Sequence, residues 1–312
     1  MSIRRRAVLG ALSLAGLGVT GLTYRASAGG FDLGPEQPGR LHAPRNAAAI
    51  ALIPADFPFV QPGFLTVGNA PSNPPLSAYA TDARTVIGNE PDIALLLAES
   101  LGLQLNLLPS AWADWSLGLQ SGRFDAVISN VTVTEERKEK YDFSTYRHDV
   151  LGFYVAADSE IRAIREPKDV AGLRIIVSSG TNQEKVLLEW NRRNVTADLR
   201  PVEFQYYTDE ALRKLAINSG RADATFGPNA SGAFSAATDG RTRLVGIVEG
   251  GWPLTAEIAV ATRKGSGIAP AFTAAINGLI ESGLYARQLA RWNLQDEAIA
   301  RSRTNPPGLP KT

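Results

Sequence analysis

The 312-residue chain has no cysteine. Disulfide staples, thiolate metal sites and a cysteine nucleophile are therefore excluded. Histidine is nearly as scarce: the two present, His42 and His148, are too far apart for metal-ligand spacing. No metal and no other cofactor is expected, and each histidine reads as an ordinary surface or hydrogen-bonding side chain. Neither sign of charge predominates, with 32 Lys and Arg against 31 Asp and Glu. Four of those bases, Arg4, Arg5, Arg6 and Arg25, lie in an acid-free N-terminal segment, and without it 28 bases meet 31 acids, a net charge of −3. A chain so charged lacks the basic footprint of a nucleic-acid binder.

What is present begins with an export signal. Basic Arg4 to Arg6 precede an apolar run from Ala7 to Leu22, and Ala26-Ser27-Ala28 follows as a small-residue cleavage site. The run is interrupted by glycine and shorter than the roughly 20 residues that span a bilayer. Residues 1–28 are therefore expected to be removed by cleavage after Ala28. Arg5-Arg6-Ala7-Val8-Leu9 resembles a twin-arginine signal, which exports proteins already folded, although paired arginines also occur in ordinary secretory signals. With no cysteine to carry a lipid, a freely soluble periplasmic protein is expected.

Residues 29–63 open with the Gly- and Pro-rich stretch Gly29 to Arg45 and read as a linker or surface strap. From Leu65 short apolar runs alternate with helical patterns. Strands are expected at Leu65 to Gly68, Gln104 to Leu108 and Phe124 to Ser129, with helices at Asp92 to Leu101, capped by Asp92, and at Ala113 to Gln120. The rhythm restarts after Leu151. Strands at Leu173 to Val177, Val202 to Tyr206 and Ala222 to Phe226 alternate with helices at Gln183 to Arg193 and Glu210 to Ile217. Ser121-Gly122-Arg123-Phe124-Asp125-Ala126 recurs as Ser219-Gly220-Arg221-Ala222-Asp223-Ala224, five matches in six positions. Two α/β units in series, each with a mostly parallel sheet, are the economical reading. The extended stretches Leu151 to Ala156 and Glu257 to Ala261 bracket the second unit as candidate hinge strands. Gly250-Gly251 would allow bending before the return, and helices at Ala269 to Ser282 and Leu284 to Trp292 would pack on the first unit.

Ligands of open α/β sheets sit beyond the carboxyl ends of the strands. There the first unit offers Ser129-Asn130-Val131-Thr132-Val133-Thr134-Glu135-Glu136-Arg137. Thr134 suits an N-cap and the two glutamates suit a helix start. Arg137 does not, because a cation in a first turn opposes the helix dipole. A bidentate grip on a ligand carboxylate would account for it, and so would a surface salt bridge to Asp142 or a nearby Glu. In the second unit Ser178-Ser179-Gly180-Thr181-Asn182 leads into a helix, an arrangement that serves both anion binding and simple capping.

The run LGLQSGRFDAVISNVTVTEERKEKYDFSTY, Leu117 to Tyr146, resembles the polar-amino-acid-binding branch of the periplasmic solute-binding proteins of transporters. Leu65 to Gly68 with Pro75-Leu76, then Gly180 to Glu184, then Gly220 to Ala224, fall in the order of that family, so the likeness spans roughly Leu65 to Trp292. It implies an α/β, two-lobed periplasmic-binding-protein fold of type II, with residues 64–152 and 257–312 as lobe 1 and 153–256 as lobe 2. It implies Arg137 as the partner of a ligand α-carboxylate, with Ser129, Asn130 and Thr132 beside it and Thr181 and Asn182 closing from the second lobe. Trp112 falls where an aromatic ring lies against the ligand, although a core tryptophan reads equally well. Two departures stand out. Asn73 replaces a second aromatic residue, and Gly227-Pro228-Asn229 stands where an acid usually holds the ligand ammonium, so Asn229 can offer only an amide oxygen.

The expected function is that of an extracytoplasmic solute-binding component of an ABC transporter, a monomer that takes a small carboxylate ligand, an amino acid or a relative, and delivers it to a membrane permease. No catalysis is expected. An exported cyclohexadienyl- or prephenate-type dehydratase of the same fold is the alternative, with Glu90, Glu249 and Glu257 as candidate acids by position alone.

Overall fold

The computed structural model describes residues 27–28, 30–207 and 209–311. Apart from Ser27 and Ala28, which pair with Phe31–Asp32, the expected export signal lies outside the described residues.

The first unit opens with β1 (Phe64–Asn69), buried from its second residue onward. After a small three-stranded sheet between Ser72 and Ile87 come α1 (Asn89–Ser100), β2 (Gln104–Pro109), α2 (Trp115–Gln120) and β3 (Ala126–Val127). One-turn helix α3 (Glu135–Lys138) leads into the 16-residue strand β4 (Tyr141–Ala156). The second unit is β5 (Arg174–Ile176), α4 (Asn182–Thr196), β6 (Glu203–Gln205), α5 (Glu210–Asn218), β7 (Ala224–Pro228), α6 (Asn229–Asp239) and β8 (Thr242–Glu249). Strand β9 (Ala256–Arg263) and helices α7 (Ala269–Glu281) and α8 (Leu284–Arg291) return to the first.

The strands run in the order β6-β5-β7-β4-β9-β3-β1-β2, with β8 also paired to β4. Strand β1 lies parallel between β2 and β3, and β5 lies parallel between β6 and β7. These are the two parallel units that the alternating pattern predicts. β4 belongs to both. Its residues 141–149 pair antiparallel with β9, and residues 151–154 pair with β7 while 150–156 pair with β8. The chain thus crosses once along a continuous strand and returns through residues 249–256. Leu65, Val67, Ile93, Leu97, Phe272 and Ile276 anchor one core. Phe153, Ile175, Trp190 and Phe226 anchor the other.

Three expectations are corrected. Asp92 does not cap its helix: Gly88 precedes the first turn, and Asp92 is buried, held by Arg40 at 2.7 Å and by the Trp292 indole N–H at 2.9 Å. Gly250-Gly251 is not an open bend. A Cβ on Gly250 would meet Asp149, and one on Gly251 would meet Leu309, so both serve close packing. The helix that carries Arg137 has a single turn, so its first turn is also its last, and the dipole argument against a cation there loses its force. The N-terminal strap is more than a surface cover. Phe31 is buried between Phe234 of α6, at 5.3 Å, and Trp292, at 5.9 Å.

Candidate ligand site

The segment after β3 and the turn before α4 approach each other at Arg137. Thr134 caps α3 by accepting the Arg137 N–H at 3.1 Å, which fixes the arginine backbone. The guanidinium then donates from Nη1 to the Thr132 carbonyl at 2.9 Å and from Nη2 to the Gly180 carbonyl, in the second unit, at 3.4 Å. It lies 5.7 Å from the Trp112 ring centroid and 5.8 Å from that of Trp115. Among the described residues no carboxylate comes within 4.0 Å of it. Asp142 instead pairs with Lys264 at 3.1 Å, and Glu136 pairs across the two units with Lys185 at 2.6 Å. Burial pulls the guanidinium down from its ordinary value, with nearby acidic groups opposing the shift. A partly desolvated cation without a carboxylate partner is chemically suited to an anion.

The remaining expected residues fall into three groups. Thr132, Trp112 and the Gly180-Thr181 turn join Arg137. The Thr181 side chain caps α4, accepting from the Glu184 N–H at 3.3 Å and donating to the Ser178 carbonyl at 2.5 Å. Ser129, Asn130 and Asn182 are engaged nearby. Ser129 Oγ accepts from the Ala70 N–H at 3.0 Å, Asn130 Oδ1 accepts from Arg147, and Asn182 Nδ2 donates to the Gly250 carbonyl. Asn73 and Asn229 make other contacts. Asn73 lines a cleft with Tyr154, Arg213, Lys214 and Pro228, and Asn229 Oδ1 accepts from the Tyr154 hydroxyl at 2.8 Å.

Sequence reasoning missed the charged cluster on β4. Arg147, 1% exposed, pairs with Glu297 and reaches to within 3.9 Å of Glu90. Glu90 accepts from Tyr146 Oη at 3.0 Å, and burial pushes its carboxyl up. Asp149 follows two residues on, also 1% exposed, with no hydrogen bond to either carboxylate oxygen among the described residues. Burial pushes its carboxyl up to about 7, against the attraction of Arg147. The one available signal was three consecutive polar residues, Arg147-His148-Asp149, interrupting a strand otherwise rich in aromatic and β-branched residues. Of the acids considered for catalysis, Glu90 is enclosed in this network, Glu257 is paired with Arg303 and Glu249 is exposed.

Residues 65–295 match the sequence profile of the bacterial extracellular solute-binding proteins, family 3. The chain belongs to that family. It is 36% identical over 163 residues to the L-cystine-binding protein TcyJ of Escherichia coli (strain K12), a match covering 52% of this chain and 58% of that protein. It is 28% identical over 245 residues to the arginine-binding protein ArgT of Corynebacterium glutamicum, covering 77% and 78%. A cyclohexadienyl dehydratase of Pseudomonas aeruginosa is 28% identical over 166 residues, covering 53% and 59%. Among solved structures, an ancestral arginine-binding protein bound to arginine superposes with a TM-score of 0.65 at 24% identity, covering 74% of this chain and 98% of that one. The fold is thereby that of the two-lobed type II binding proteins.

Proposed function

We propose that this protein is the extracytoplasmic solute-binding component of an ABC transporter, taking an amino acid between two closing lobes, residues 64–152 with 257–312 and residues 153–256. Arg137 carries the reading. It is a partly buried guanidinium with no carboxylate partner among the described residues, and its hydrogen bonds reach both units. The ligand α-carboxylate pairs with it, while Thr132 and the Gly180-Thr181 turn close around the pair. Family membership and relatives that bind cystine and arginine support an amino-acid ligand. Delivery is to a membrane permease, and residues 1–28 direct export to the periplasm, by the twin-arginine route if both Arg5 and Arg6 are required.

A dehydratase has a distant relative in its favour, but the three candidate acids are enclosed, paired or exposed, with none beside Arg137 in an open site. Thermal-shift measurements with amino acids, their deaminated counterparts and prephenate test both readings. A saturating amino acid at about 100 times its Kd adds roughly 2.7 kcal/mol of stability. Prephenate turnover without amino-acid binding would overturn the transport reading.

A further inference from the structure

Within this reading, an amino-acid ligand carries an ammonium group next to its carboxylate, and the acid expected to hold it is absent from Gly227-Pro228-Asn229. Asn229 does not take its place, because its amide oxygen already accepts from Tyr154.

Asp149 offers what is missing. Among the described residues both its oxygens lack a hydrogen-bond partner, although the residue is 1% exposed. Its carboxylate packs on a glycine: a Cβ on Gly250 would lie 2.7 Å from Asp149 Oδ2. The backbone there is tied on both sides, with the Gly250 N–H donating to the Asp149 carbonyl at 2.9 Å and the Gly250 carbonyl accepting from Asn182. The carboxylate thus stands where β4 crosses between the units, next to the residue that Asn182 grips. Arg147 steadies its charge most, followed by Asn130 and Arg137, and Arg137 feels Asp149 in turn. Yet the two opposite charges form no salt bridge with each other. Separated but mutually sensed charges of opposite sign suit a zwitterion, whose carboxylate and ammonium sit on neighbouring atoms.

We propose that Asp149, on the strand shared by both lobes, is the ammonium anchor of the ligand, working opposite Arg137. This assignment rests on the amino-acid-binding reading above. Without a ligand the carboxylate is a buried charge with no hydrogen-bond or salt-bridge partner among the described residues, only partly offset by Arg147, so the site is built at the expense of the stability of the free protein. Replacing it by the isosteric, uncharged amide removes that cost and the anchor together.

The test compares wild type with Asp149→Asn by calorimetric titration of L-cystine, L-arginine and L-glutamine and the 2-hydroxy acids corresponding to the last two. Wild type should prefer an α-amino acid to its hydroxy acid, and Asp149→Asn should lose on the order of 30-fold in affinity for the amino acid. The hydroxy acid should be nearly unaffected. In parallel, ligand-free Asp149→Asn should melt at a higher temperature than wild type at pH 8. The raised carboxyl value means that ionisation weakens the free protein as pH rises from about 4 towards 7, so the gain should vanish at pH 4. Arg147, Glu297 and Arg137, the charges that act on Asp149, are the same in both proteins.

A preference for the amino acid that survives in Asp149→Asn, an equal loss for both ligand types, or a lower melting temperature in the variant would overturn the assignment. If wild type binds hydroxy acids as tightly as amino acids, and Arg137→Ala abolishes both, the ammonium anchor is wrong and the solute-binding reading stands. If wild type binds nothing on the panel, both fall.

Discussion

Two arginines ten positions apart have opposite surroundings. Arg147, in the middle of β4, is enclosed by Glu297, Glu90 and Asn130. Arg137, on the single turn before β4, touches backbone carbonyls and indole rings and, among the described residues, no carboxylate. A buried charge that the protein itself satisfies belongs to the fold. One that it solvates with carbonyls and leaves, among the described residues, without a carboxylate in salt-bridge contact is suited to a ligand from outside. The two guanidiniums are chemically identical, so the partners decide.

Substitution separates them most sharply at Arg147. Arg147→Ala strips a buried network of its cation and leaves Glu297 unpaired, an expected loss of about 3–5 kcal/mol in folding stability, measured by urea unfolding. An unchanged midpoint would make the two arginines alike. Arg137→Ala should do the reverse. Binding of an amino acid should weaken by about 2–5 kcal/mol, with Arg137→Lys recovering part of it because an ammonium lacks the planar fork. Titration calorimetry beside unfolding curves reads both effects, and near-native affinity in Arg137→Ala would return that residue to a structural role. The smallest effect is expected at the exposed pair that joins the units, Glu136 and Lys185. Lys185→Ala should change ligand affinity by about 0.2–1 kcal/mol, and less at high salt. A larger change would mean that closure, more than Arg137, sets affinity.

Local signals in the chain are legible where a residue acts on its own neighbours. Thr134 and Thr181 cap their helices through hydrogen bonds three residues long, and such bonds follow from residue type and position alone. The alternating strands and helices on either side of β4 were equally legible because their apolar periodicity is local. Helix α6 was missed: NASGAFSAATD has small residues at most positions and little apolar period, and it is held by packing of Phe234 on Phe31. Asp92 looked like a cap because its real partners, Arg40, Arg291 and Trp292, are remote in sequence. The first ten residues of β4 went unrecognised because Arg147-His148-Asp149 breaks the apolar run. Their burial depends on Glu90 and Glu297, 57 and 150 positions from Arg147 in the chain. At the site, Arg137 stood out as an oddity in its own turn, whereas Asp149 acquires meaning only from the Gly250 backbone and the second unit.

Strand β4 runs unbroken from one core into the other, and Asp149 sits at the point where its pairing passes from β9 to β7 and β8. On the assignment proposed above, pivot and contact surface are made of the same few residues. In a protein that changes its diet over evolutionary time, such an arrangement constrains the order of events. On that assignment, a substitution at the crossing point that admits a new solute would also reset how readily the lobes swing, so selectivity and mobility would be inherited together.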